Sequence, residues 1–189
     1  MKHKINLPNI LTTLRILGTA CLVAFPAHSL WFIIIYTLAG ITDVLDGYIA
    51  RKTGQATEFG AKLDSAADLL FYVVMLVRIF PVLWAMLPWQ IWLLVGLVMA
   101  VRLSAYAVAA VKYRRFAAQH TWMNKATGFM VFAIPYMLPT PVGVGFCWAV
   151  CIVAMLASFE ELVLHLLTKA YDSRVKSIIS LAACRQKTK

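Results

Sequence analysis

Apolar stretches long enough to cross a bilayer follow one another along most of this 189-residue chain and leave room for little else. Hydropathy, together with Pro and charge punctuation, places them at about 8–25, 29–52, 57–80, 88–111, 119–138 and 142–167. A spanning helix needs roughly 20 mostly apolar residues, so six of them with short connections use up the chain. Hydrophobic residues make up 62% of the sequence, against about 45–50% in soluble domains. The expected fold class is therefore all-α: a six-transmembrane-helix protein forming one membrane domain over 1–189. Residues 1–7 read as a short interfacial segment, 8–167 as the six helices, and 168–189 as a basic tail on the inner leaflet.

The net charge of +10 raises the question of nucleic acid, but no basic groove or repeat supports it. The cations sit at the ends of apolar segments, where they orient helices and meet anionic headgroups. Pro26-Ala27-His28-Ser29, the stretch from Pro81 to Pro88, and Pro139-Thr140-Pro141 carry proline and no Lys, Arg, Asp or Glu. Lys2 and Lys4, Arg51 and Lys52, and Lys112, Arg114 and Arg115 mark the opposite side, joined by six basic residues of the tail. Positive loops stay cytoplasmic, so the expectation is a cell-membrane protein with both termini inside. Arg78 is the exception, near an outer helix end, where it is expected to snorkel to the interface. Cys21, Cys147 and Cys151 lie in apolar runs and read as small hydrophobes.

Half of the eight acidic residues are hidden in two adjacent spans: Asp43 and Asp46 in the second, Asp64 and Asp68 in the third. An ionised carboxylate in the bilayer costs at least ~2.5–3.5 kcal/mol, so these four need partners or a use. Spacings of three and four residues stack each pair on one helical face. At ~1.5 Å per residue, Asp43 and Asp68 lie at similar depth, and an antiparallel hairpin brings the four carboxylates together. Salt bridges to Arg51, Lys62 or Arg102 are one outcome. The other is shared cations: hard oxygen ligands suit Mg²⁺ or Mn²⁺, and a two-metal site stabilises both attacking and leaving oxygens at phosphorus. Gly47, Ala50 and Gly60 lie on or beside the acidic faces. They serve either close helix packing or backbone access for a flat group such as a nucleotide base. Arg51 either binds phosphate or marks the cytoplasmic boundary.

Together, residues 43–68 read Asp43-x2-Asp46-Gly47-x2-Ala50-Arg51-x8-Gly60-x3-Asp64-x3-Asp68. This resembles, at all eight fixed positions, the signature of the CDP-alcohol phosphotransferase (CDP-alcohol phosphatidyltransferase) family. The resemblance implies that Asp43, Asp46, Asp64 and Asp68 hold two divalent cations, Mg²⁺ or Mn²⁺, that grip a CDP diphosphate. It implies Asp68 as general base, Gly47, Ala50 and Gly60 as room for cytidine, and Arg51 as a phosphate contact. It further implies a homodimer among membrane lipids, with its active site at the cytoplasmic side.

The opening Asn6-Leu7-Pro8-Asn9-x-Leu11-Thr12-x2-Arg15 is similar to phosphatidylglycerophosphate synthases, whereas Asp64-Ser65-Ala66-Ala67-Asp68 is closer to the serine branch. Arg102, Lys125 and Arg115 are candidates for an acceptor phosphate; salt bridges to the aspartates or lipid headgroup contact compete with that role. The expected reaction moves a phosphatidyl group from CDP-diacylglycerol to a small phosphorylated alcohol, glycerol 3-phosphate, releasing CMP. Serine, inositol phosphate and phosphatidylglycerol are the alternative acceptors. An ion or proton transporter is the alternative of a different class. The aspartates, however, are confined to one hairpin, and no internal repeat is visible.

Overall fold

The computed structural model describes residues 7–27, 29–53, 57–114 and 121–168, with all side chains there except those of Arg51 and Ala61. Six helices account for almost all of them, and no strand occurs among the described residues: α1 (Leu7–Leu22), α2 (Leu30–Thr53), α3 (Glu58–Met86), α4 (Trp89–Tyr113), α5 (Trp122–Met137) and α6 (Gly143–Leu167). Four are long and apolar enough to cross a membrane, within α2, α3, α4 and α6. The remaining two, α1 and α5, have 16 residues each, or about 24 Å at the helical rise, short of a hydrocarbon core of about 30 Å. The chain is a multi-pass membrane protein.

One boundary differs from expectation. The third span does not stop before Pro81: α3 continues through it to Met86. A proline forfeits one backbone hydrogen bond, a loss that membrane helices tolerate. The break comes instead at Leu87-Pro88, where Pro88 adopts extended geometry (φ −66°, ψ 151°) as N-cap of α4. A proline disfavours helical geometry in the residue before it, and Leu87 is that residue.

The chain divides into two compact units, Met1–Met86 and Leu87–Lys189. In the first, α1 packs extensively against both α2 and α3. Its buried positions, Pro8, Thr12, Arg15, Thr19 and Leu22, alternate four and three residues apart and form one stripe along the helix. The α2 and α3 helices also meet directly through Tyr36 and Phe71, whose rings stack at 5.6 Å. Arg78, expected to reach the interface, is half-buried. Its Nη2 donates to the carbonyl of Phe25, just past the end of α1. Leu69, Tyr72, Val73, Leu76 and Val77 of α3 are exposed, an apolar face suited to lipid.

In the second unit α6 packs against α4 and α5. Ala105 and Ala109 of α4 are completely buried, and small side chains like these let membrane helices approach closely. Lys112 Nζ donates to the carbonyls of His165 and Leu166, both at 2.8 Å, satisfying two of the unpaired carbonyls at the end of α6. Gly143 starts α6 so close to the preceding turn that a Cβ there would lie 2.6 Å from the Met137 carbonyl oxygen.

Candidate active site

The first unit gathers acidic residues from two helices and partners for them from a third. On α2, Asp43 and Asp46 lie nearly a turn apart; on α3, Asp64 and Asp68 do the same. The start of α3 is fixed by Thr57, whose Oγ1 accepts from the Gly60 amide at 3.0 Å, an N-cap bond. Oxygens of Asp43, Asp64 and Asp68 all lie within 4.8 Å of one another. The fourth carboxylate, Asp46, is buried, with only 4% of its side chain exposed against 42% for Asp68. Thr12 Oγ1 stands 2.9 Å from Asp46 Oδ2 and 3.0 Å from the Pro8 carbonyl. Its single proton goes to the carboxylate, the stronger acceptor.

Arg15 of α1 completes the cluster. Its side chain is 2% exposed and reaches all four aspartates. Nη1 pairs with Asp43 and lies 2.9 Å from Asp68 Oδ1; Nη2 pairs with Asp64 and lies 3.3 Å from Asp46 Oδ2. Two of the partners that the spacing offered are engaged elsewhere: Lys62 binds Glu58 at 2.7 Å, and Arg102 pairs within the second unit; the side chain of the third, Arg51, lies outside the described residues. Thr12 and Arg15 are thus the site residues that sequence reasoning missed. The available signal was a hydroxyl and a cation three residues apart on the buried stripe of an apolar helix. A single guanidinium against four carboxylates leaves three negative charges uncompensated. The donor set is all oxygen, clustered and partly open, and it fits hard divalent cations such as Mg²⁺ or Mn²⁺.

The glycine positions divide. A Cβ on Gly60 would lie 2.8 Å from Asn9 Oδ1 and 3.0 Å from Thr57 Oγ1, so close approach of α1 uses this missing side chain. Gly47 and Ala50 are half-buried on α2, and Arg51 lies in that helix with its side chain outside the described residues.

The acceptor candidates belong to the second unit. Arg102 donates to Asn124 Oδ1 and lies 3.7 Å from Glu161, while Asn124 donates to Glu161 at 3.0 Å. Glu161 is 1% exposed, an intramembrane acid on α6 that the sequence reading did not single out. Lys125 is exposed, its Nζ 5.0 Å from the Trp122 ring centroid, a cation–π distance. Arg115 lies outside the described residues, as do 1–6 of the expected interfacial segment 1–7 and 169–189 of the expected tail 168–189.

Comparison with known proteins bears on this arrangement. A family model described as CDP-alcohol phosphatidyltransferase matches residues 5–159. Three similar proteins are each named CDP-diacylglycerol–glycerol-3-phosphate 3-phosphatidyltransferase. That of Pseudomonas fluorescens is 32% identical over 145 residues, covering 72% of this chain and 73% of the relative. That of Haemophilus influenzae is 48% identical over 81 residues, covering 40% of this chain and 44% of the relative. That of Cereibacter sphaeroides is 40% identical over 80 residues, covering 39% and 36%. In the last two the match spans less than half of the relative's length. No solved structure matches the chain.

Proposed function

The chain belongs to the CDP-alcohol phosphatidyltransferase family, and on that premise we propose that it transfers the phosphatidyl group of CDP-diacylglycerol to glycerol 3-phosphate, releasing CMP. One observation carries the reaction type: Asp43, Asp64 and Asp68 converge from two helices to within 4.8 Å, with Asp46 fixed beside them. Oxygen ligands gathered this way suit the charge density of a diphosphate in transfer, where developing charge must be met by preorganised partners. The acceptor is supported by the names of these relatives, all glycerol-3-phosphate 3-phosphatidyltransferases.

In this reading Asp43, Asp46, Asp64 and Asp68 hold a pair of Mg²⁺ or Mn²⁺ ions. Bound there, the ions supply charge neutralisation at the diphosphate and at both reacting oxygens. Asp68, half-exposed, takes the proton from the acceptor hydroxyl. The freed oxygen attacks the phosphorus bearing diacylglycerol, and the bond from that phosphorus to CMP breaks. Gly47, Ala50 and Gly60 leave backbone accessible to the cytidine, and Arg51 contacts phosphate. Arg102, Lys125 and Arg115 serve the acceptor phosphate, Arg102 being held in place by Asn124 and Glu161. The active site faces the cytoplasm, both termini lie inside, and the working form is a homodimer among membrane lipids.

The test is direct. Purified protein is incubated with CDP-diacylglycerol and Mg²⁺ or Mn²⁺, acceptors are offered singly, and the lipid formed is identified. Phosphatidylglycerophosphate from glycerol 3-phosphate is the expected product. Efficient turnover with serine and none with glycerol 3-phosphate overturns the acceptor assignment and leaves the reaction type standing.

A further inference from the structure

The proposed reaction leaves Arg15 without a task, although it is the best-buried cation among the described residues of the first unit and touches every aspartate of the cluster. Its contacts fall on Oδ1 of Asp43, Asp64 and Asp68. Those three residues are the ones that offer clustered oxygens to a cation. A guanidinium and a divalent ion therefore draw on the same carboxylates. Both are positive, and each unit of charge repels the other strongly in a site partly shielded from water.

The guanidinium is also incompletely satisfied. Its Nε is buried with no hydrogen-bond partner among the described residues. A brace whose only duty is to hold helices together normally has its donors paired. Here the head group has gone to the charge instead, and it leaves most of that charge unmet. Without any cation, four carboxylates on neighbouring turns would repel one another and drive α2 and α3 apart.

We propose that Arg15 is a built-in counter-cation, which holds the four aspartates together while no divalent ion is bound and competes with the ions for the same carboxylates. The inference rests on the reading of the cluster as a divalent-cation site. It adds that the metal-free site is already charge-paired, so ion binding is an exchange. The removal of Arg15 then has two opposite effects: the metal-free protein loses stability, and the ions bind more tightly.

The experiment uses the full chain, purified in detergent and stripped with chelator, in the absence of both substrates. Mn²⁺ binding is titrated by the electron paramagnetic resonance signal of free Mn²⁺, and thermal unfolding is followed with and without Mn²⁺. Arg15→Gln is expected to lower the Kd for Mn²⁺ by about tenfold or more, the equivalent of one charge-assisted hydrogen bond no longer displaced. Its metal-free Tm falls, and Mn²⁺ raises that Tm by more than it does in the parent. Arg15→Lys, with one compact head in place of the fork, lies between the two. If the parent binds Mn²⁺ and Arg15→Gln binds it equally or more weakly, Arg15 is a structural brace and the inference is overturned. Should Arg15→Gln not fold, Arg15→Lys decides: tighter binding than the parent supports the exchange, and equal or weaker binding overturns it. If the parent binds no Mn²⁺, behaving like an Asp43→Asn control, the cation site itself fails and the inference falls with it.

Discussion

Asp46 and Asp68 are the same side chain on two helices, and their surroundings fit them for different work. Asp46 is buried and held by both Thr12 and Arg15, which fixes its carboxylate and closes it to an incoming acceptor. Asp68 keeps 42% of its side chain exposed, which leaves it open to the acceptor hydroxyl of the proposed reaction. Asp68→Asn preserves the shape and removes the proton acceptor. Turnover is expected to fall by about 10²–10⁴-fold, the usual range for loss of a general base. CDP-diacylglycerol binding, measured separately by equilibrium titration, should weaken less than in Asp43→Asn or Asp46→Asn. Normal turnover of Asp68→Asn would remove it from the role of base.

Among the elements, the turn between α5 and α6 is the tightest constraint outside the site. The neighbours of a Cβ at Gly143 are the backbone carbonyls of Met137 and Leu138, which cannot swing aside as a side chain can. Gly143→Ala is expected to cost about 1–3 kcal/mol, the range for overpacking, seen as a lower Tm in detergent with CDP-diacylglycerol binding unchanged per folded molecule. An unchanged Tm would show that the turn can relax. The helices themselves were legible in the sequence, because apolar run length and proline or charge punctuation are local signals. The acidic hairpin was legible for the same reason: spacings of three and four fix the faces of α2 and α3 without knowledge of the fold. Pro81 was not, since a proline inside α3 and a proline that ends a helix read alike until the neighbouring Leu87-Pro88 break is seen. Nor was Arg15 legible as the partner of the aspartates. It lies 28 residues from Asp43 and 53 from Asp68, and the contact exists only because α1 packs against both α2 and α3. Long-range pairing of this kind is a property of packing and leaves no spacing rule in the chain. Glu161 was missed likewise, its meaning set by Asn124 and Arg102 on two other helices.

At the scale of the whole molecule, the proposed acceptor role of Arg102 can be told apart from a structural one within the second unit. If Arg102 binds the acceptor phosphate, Arg102→Gln should raise the KM for glycerol 3-phosphate by roughly 10–150-fold, the worth of a charge-assisted hydrogen bond. The KM for CDP-diacylglycerol should stay near that of the parent. A fall in Tm with both KM values unchanged would make Arg102 a brace for Glu161 instead, as their 3.7 Å approach also allows. The central claim is that the four aspartates work through divalent cations. It is tested most directly by CMP release from CDP-diacylglycerol and glycerol 3-phosphate, first in EDTA and then after excess Mg²⁺ or Mn²⁺. The account predicts no release in chelator and recovery on adding either ion, because without them neither the diphosphate nor the carboxylates are neutralised. Undiminished CMP release in EDTA would contradict it.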